Sequence, residues 1–359
     1  MTTQAIKDNI LPTIFRGIPI SILETLTAAN PVVAYYHIVS DKDVPHVKHL
    51  YRFRNESQFE KDLEAFLKVY EPIGLLDLVV SVRTGKALPR HAFLLTFDDG
   101  FRELIEVVAP LLVRKGIPAT FFLATAFLDN KEMALHNQIS VLIDHINGLP
   151  EKRQRQINDQ LSKRQLSGDT VSERLLSITY QRKHLVPQIA KSVECDLAGY
   201  LRQARPYLTS AEVRNLIAQG FTIGAHSVDH PLYSALTLKE QLQQTSESVS
   251  FLQQKFGLAC STFSFPHGDS YVGSEFFKEI YARGILDISF GSAGMLKESC
   301  PRHFQRFSPE NSAMPVEQVL RRHYARSLYK KVLRRQVINR TQTANLSSFE
   351  TWPGAVPSF

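Results

Sequence analysis

The sequence predicts an α/β protein in which strands and helices alternate around a largely parallel sheet or barrel. Apolar runs of strand length recur along the chain, stretches with apolar residues at helical spacing follow them, and the sharpest chemical motifs stand just after strands. With 359 residues, 43% hydrophobic and 21% charged, the chain is long enough for one large domain or two of average size.

Residues 31–39 (PVVAYYHIV) read as a buried strand, and residues 58–70 then carry Phe59, Leu63, Phe66 and Leu67 at helical spacing. A strand at 92–97, a helix at 103–115 and a strand at 119–125 follow. After an interruption the series resumes with helices at 209–219 and 238–255 and short strands at 221–225 and 261–265. The interruption, 129–206, is rich in Gln, Arg, Lys and Ser, yet Ile139, Leu142, Ile143 and Ile146 keep helical spacing. We therefore expect a helical insertion within one domain covering 1–340. Residues 341–359 are polar, hold two prolines near their end, and are expected to be a loosely ordered tail.

Three cysteines, Cys195, Cys260 and Cys300, are odd in number, far apart and without CxxC spacing, which argues against a disulfide framework or a thiolate zinc site. The N-terminal residues lack a basic start followed by an apolar run and a cleavage site. No stretch approaches the roughly 20 apolar residues that span a bilayer. A cytoplasmic location is the expectation.

The formal charge is +7, from 42 Lys+Arg against 35 Asp+Glu. Residues 321–340 carry eight basic residues and no acid; without them the other 339 residues stand at −1. Basicity confined to one segment does not fit a nucleic-acid binder. Within 316–338, Leu320, Tyr324, Leu328 and Val332 recur every four residues, so the segment reads as a basic amphipathic helix. Such a helix either packs one face on the barrel and solvates the other, or makes peripheral contact with an anionic membrane at its inner face.

Three motifs carry chemistry. FLLTFDDG (93–100) is an apolar strand ending in the carboxylates Asp98 and Asp99, at the end of a parallel strand where α/β folds place their sites. Asp-Asp-Gly alone is also a common turn. GAHSVDH (224–230) sets His226 and His230 four residues apart, a spacing that can present two imidazoles to one ion. Two histidines and a carboxylate make a three-ligand site with room for water. FSFPHGD (263–269) contains a Pro-x-Gly turn able to aim a backbone amide at an oxyanion, or to be a plain surface turn.

Taken in order, LLTFDDG, GxHSxxH and FSFPHG resemble the motifs of the polysaccharide deacetylase family, the NodB-homology or carbohydrate esterase family 4 enzymes. The likeness runs from about residue 32 to about 307, apart from the insertion, and includes Tyr36 and His37 at the end of the first strand. The Tyr-His strand and the Pro-His-Gly turn resemble the branch acting on the exopolysaccharide poly-N-acetylglucosamine.

The resemblance implies a distorted (β/α) barrel and a metal-dependent hydrolase that removes an N-acetyl group from an amino sugar. It implies that Asp99, His226 and His230 bind a divalent metal, usually zinc, with Asp98 as general base and the backbone amide of His267 facing the oxyanion. A late Leu-x-His motif, the usual source of the general acid, is absent. His37 and His267 are the favoured candidates for that role, while His303 and His323 are expected on the surface. Arg306 resembles an arginine that follows the last strand in the exopolysaccharide branch and orients a carboxylate. The expected substrate is an N-acetylated saccharide, in a glycan or a lipid-linked or nucleotide-linked precursor. A deacylase for another group such as formyl, and a catalytically silent carbohydrate-binding relative, are the alternatives.

Overall fold

The computed structural model describes residues 17–27 and 30–340; the expected tail at 341–359 lies outside them. Seven parallel strands form a distorted (β/α) barrel: β1 (Val32–Tyr36), β2 (Ala92–Phe97), β3 (Ala119–Leu123), β4 (Thr222–Ala225), β5 (Thr262–Ser264), β6 (Ile288–Gly291) and β7 (His303–Gln305). They pair in chain order. The ring closes just past β7, where the Phe307 amide donates to the Val33 carbonyl at 3.1 Å and the Tyr35 amide donates to the Phe307 carbonyl at 3.0 Å. Every residue of β2 and β3 is buried, which is why these strands read as unbroken apolar runs: barrel interior covers one face and helices the other.

The outer helices are α1 (Ile20–Thr27), α2 (Glu56–Leu67), α3 (Leu75–Thr84) and α4 (Ala109–Lys115), the last preceded by a π-helical turn at Leu104–Val108. After residue 134 come α5 (Leu135–Asn147), α6 (Glu151–Lys163), α7 (Val171–Leu176), α8 (Leu185–Ser192) and α9 (Leu197–Ala204). The barrel series continues with α10 (Ser210–Ala218), α11 (Leu238–Phe256), α12 (Ser274–Ala282) and α13 (Val316–Val332). Capping explains several starts. Asn55 and Gln58 form a reciprocal box before α2, as do Thr237 and Glu240 before α11, each satisfying backbone donors the first turn leaves open. Gly257, at φ 64°, then ends α11.

Helices α5–α8 share an apolar cluster of their own, in which Ile139, Leu142, Ile143 and Ile146 meet Leu175, Val186 and Ile189. Helix α5 is also tied to the loop after β1. Asn137 Nδ2 donates to the His46 carbonyl at 2.7 Å and Ser140 Oγ to that of Pro45 at 2.6 Å.

Helix α13 ends at Val332, short of the expected 338, because Arg334 takes a left-handed φ of 54° and turns the chain. Val337–Ile338 instead pair in parallel with Lys297–Glu298. Leu320 and Tyr324 are buried as the four-residue spacing requires, whereas Val332 is 82% exposed. Among the described residues no helix is long and apolar enough to cross a membrane, and Cys195, Cys260 and Cys300 are free thiols.

Candidate active site

Parallel pairing brings the C-terminal ends of all seven strands to one mouth, and the motifs meet there. The amide of Asp98 extends the β1–β2 ladder by donating to the Tyr36 carbonyl at 2.9 Å. The next two residues, Asp99 and Gly100, are left-handed, with φ 69° and 73°. This reversal gives the neighbouring carboxylates different partners.

Asp99 meets the histidines. His226 follows β4, its amide bonded to the Leu123 carbonyl at 2.9 Å. Its Nδ1–H donates to the Ser264 carbonyl at 2.8 Å, which leaves the Nε2 lone pair turned toward the site. Two further left-handed residues, Ser227 and His230, curl the GAHSVDH segment so that the Nε2 atoms of His226 and His230 stand 3.2 Å apart. Asp99 Oδ1 lies 3.5 Å from the first and 3.2 Å from the second. The three ligand atoms fall within 4.8 Å of one another. Two imidazole nitrogens and a carboxylate oxygen converging on one point fit a divalent cation. Burial raises the Asp99 carboxyl, but the neighbouring imidazoles, His230 first, outweigh it and hold the group well below the usual carboxylate range.

Asp98 is 2% exposed and lies against Arg306, itself 1% exposed. The guanidinium makes two parallel contacts, Nη1 to Oδ1 at 2.8 Å and Nη2 to Oδ2 at 2.7 Å. It also donates to Thr96 Oγ1 at 3.0 Å and to the Gly291 carbonyl at 3.2 Å, and lies 4.6 Å from the centre of the Tyr35 ring. Desolvation pushes Asp98 up, yet the charges of Arg306 and then His226 prevail, and the carboxyl stays below its ordinary value.

His37 follows β1, and its partner is a residue the sequence reading missed. Glu310 accepts from the His37 amide at 3.0 Å and pairs with Nδ1 of the same ring. Burial lowers this histidine, but the Glu310 charge and hydrogen bond outweigh it and raise it to about 9. The one signal in the sequence is weak: an acid in the irregular stretch four residues beyond Arg306.

His267, at φ 56°, places its ring edge-on to His230 with centroids 4.3 Å apart. His136 of α5, also unanticipated, stands 4.9 Å from His267, so the helices between β3 and β4 reach the histidine row. Tyr180 Oη and Lys183 Nζ, from the same stretch between β3 and β4, hold Asp229 at 2.5 and 2.9 Å, beside His230.

The surface placement expected for His303 and His323 is wrong. His303 is 2% exposed, with Nδ1 2.7 Å from Ser289 Oγ and Nε2 3.0 Å from Asp269 Oδ2. It lies on β7 in the barrel wall, where burial demands partners for both nitrogens. His323 is half-buried, its ring 5.1 Å from that of Phe307 at the closure point. Asp269, Glu298 and His303 form a second group of potential ligands, but Arg340 donates to both carboxylates, at 2.8 Å for Glu298. A resident guanidinium makes this a buried ion network rather than an open metal position.

The polysaccharide deacetylase family model matches residues 85–275. The chain belongs to this family and is a hydrolase acting on amide carbon–nitrogen bonds. Deacetylase PplD of Streptococcus pyogenes, solved with acetate, superposes with a TM-score of 0.51 at 12% identity, over 81% of this chain and 97% of that one. A de-N-acetylase from Aggregatibacter actinomycetemcomitans does so at 0.50 and 13% identity, over 80% and 98%. Both share the fold. No curated protein sequence matches the chain.

Replacing Arg306 by Leu leaves a buried carboxylate without its counter-charge and should destabilise the protein by about 3–5 kcal/mol in urea unfolding at pH 7. The low carboxyl of Asp98 makes this contribution present above the unfolded-state value and lost as pH falls through the folded one. The wild-type advantage should therefore narrow on acidification below about pH 4. An equal gap at pH 7 and pH 3 would contradict the pairing.

Proposed function

We propose that this protein is a divalent-metal-dependent deacetylase that hydrolyses the N-acetyl group of an amino sugar, in a glycan or a lipid-linked or nucleotide-linked precursor, during polysaccharide assembly. The observation that carries the reading is the convergence of Asp99, His226 and His230 beside an Arg306-held Asp98 and a Glu310-held His37, at one mouth of a family barrel. The Tyr36–His37 strand and the Pro266–Gly268 turn support the exopolysaccharide branch of the family.

A divalent cation, zinc by the preference of its nitrogen and oxygen donors, would be held by Asp99, His226 and His230 and would polarise the acyl oxygen and acidify water. Asp98, ionised at neutral pH, takes the proton of the attacking water, and Arg306 fixes the carboxylate in place. The His267 backbone amide is assigned to the developing oxyanion. As the carbon–nitrogen bond breaks, His37 donates a proton from Nε2 to the leaving nitrogen, with Glu310 holding Nδ1–H. The products are acetate and the free amine.

The basic segment supports peripheral contact with an anionic membrane face. Arg321 and Lys331 donate to the carbonyls of Ile18 and Leu26, tying α13 to α1, while Arg326, Arg334 and Arg335 are exposed. Val332, Leu333 and Val337 are exposed there too, as are Ile22 and Leu26 on α1. Apolar tips among cations suit an anionic interface.

Purified protein loaded with zinc should release acetate from N-acetylated amino sugars and lose this on chelation. Asp98→Asn should lower the rate at least about 100-fold while the metal content measured by mass spectrometry is unchanged. Activity persisting in that variant would remove Asp98 from the base role. Because His37 must be protonated to donate, kcat should fall as pH rises through about 9. Glu310→Gln should move this alkaline limb toward the ordinary histidine value of about 6.5, and a limb that stays in place would exclude His37 as the acid. Sedimentation with vesicles should show binding to anionic lipid at low salt and none to neutral lipid; equal binding would defeat the electrostatic contact.

A further inference from the structure

Beside the His37–Glu310 pair the surface opens into a groove of about 440 Å³, within the size range of small-ligand pockets. Its wall is the loop after β1, with Lys48, Tyr51, Arg52 and Phe53, and Glu310 forms part of its lining. Tyr51 joins groove to site, since its ring lies 4.7 Å from that of His37. Its hydroxyl is buried and makes no hydrogen bond, an expensive condition for a polar group unless something arrives to accept. Burial, then the charges of Asp99 and Glu310, push the phenol well above its ordinary value, so it remains a donor.

The cations of the groove differ in what they are free to do. Lys48 is shared by Asp43 and Asp144 at 2.6 and 2.7 Å. Arg54 is consumed by Asp62 and the carbonyls of Ser312 and Met314. Arg52 is exposed, and no described residue pairs with it. Among the described residues Glu310 is the one carboxylate in the lining, and it is held by His37. A group entering along Arg52 therefore meets an uncompensated guanidinium, whose fork suits phosphate oxygens.

We infer that this groove is the subsite for the phosphate-bearing end of the substrate: the Tyr51 hydroxyl donates to a sugar oxygen and Arg52 pairs with the phosphate of a glycosyl phosphate. The inference rests on the deacetylase reading above and narrows its substrate from glycans in general to a phosphate-linked amino sugar. The phosphate of a nucleotide-linked sugar and that of a lipid-linked one share this chemistry.

Calorimetric titration of the zinc-loaded full chain tests it, with N-acetylglucosamine 1-phosphate, methyl N-acetylglucosaminide and inorganic phosphate as probes. The sugar phosphate should bind about tenfold or more tighter than the methyl glycoside, as one charge-assisted pair provides. Arg52→Ala, a surface change, should reduce that ratio to near one, and Tyr51→Phe should weaken both sugars while leaving the ratio in place. Equal affinity for the two sugars, a preference surviving Arg52→Ala, or inorganic phosphate binding as tightly as the sugar phosphate would overturn the subsite. Acetate release from the methyl glycoside with no phosphate preference would sink this inference alone. Arg52-dependent binding without any acetate release would instead sink the deacetylase reading. Comparing a uridine diphosphate sugar with a short-chain polyprenyl phosphate sugar then separates the two phosphate sources.

Discussion

The buried pair between Arg306 and Asp98 joins the barrel's closure to its chemistry. Arg306 stands where the last strand hands over to Phe307, whose backbone bonds complete the ring onto β1. Its side chain reaches through the interior to Thr96 on β2, Ser264 on β5 and Gly291 on β6. One guanidinium thus gathers acceptors from strands distant in sequence. Burying two charges is costly, and the bidentate geometry with satisfied remaining donors is what makes the arrangement tolerable. In the proposed mechanism this carboxylate is the base, so closing the barrel and orienting that base would be a single structural event.

Backbone strain at the mouth follows the same logic. Asp99, Ser227, His230 and His267 all occupy left-handed conformations that side chains with a Cβ disfavour, and all four lie in the three motifs. A strand continuing in extended form would send successive side chains to opposite faces. Breaking that alternation keeps Asp98 and Asp99 at one mouth, each with its own partners, and lets two histidines from one loop share a point with a carboxylate from another. The rigid strands beneath supply the constraint that keeps these residues in such conformations.

How much of this could be read from the sequence depended on how local each signal was. Strands β2 and β3 were visible because burial on both faces makes them continuous apolar runs. The group of Asp99, His226 and His230 was visible because its members sit in two short motifs. Strands β6 and β7 escaped notice: four and three residues cannot display a period, and unlike the equally short β4 and β5 they do not lead into one of the three motifs. Glu310 and His136 escaped because nothing beside them in the chain marks their use, and only the fold brings them to His37 and His267. His303 was misplaced because imidazole is usually exposed, whereas here Ser289 and Asp269 satisfy it inside the wall. The basic segment was legible in charge but not in shape, since a left-handed residue at Arg334 ends the helix early and sends Arg340 inward to Asp269 and Glu298.

Diffraction data collected on either side of the zinc absorption edge from zinc-grown crystals would show whether Asp99, His226 and His230 hold the divalent cation. One strong anomalous peak is expected, bonded to one carboxylate oxygen and the two Nε2 atoms at about 2.0–2.2 Å. A peak in the Asp269–Glu298–His303 network, or none in the mouth of the barrel, would contradict it.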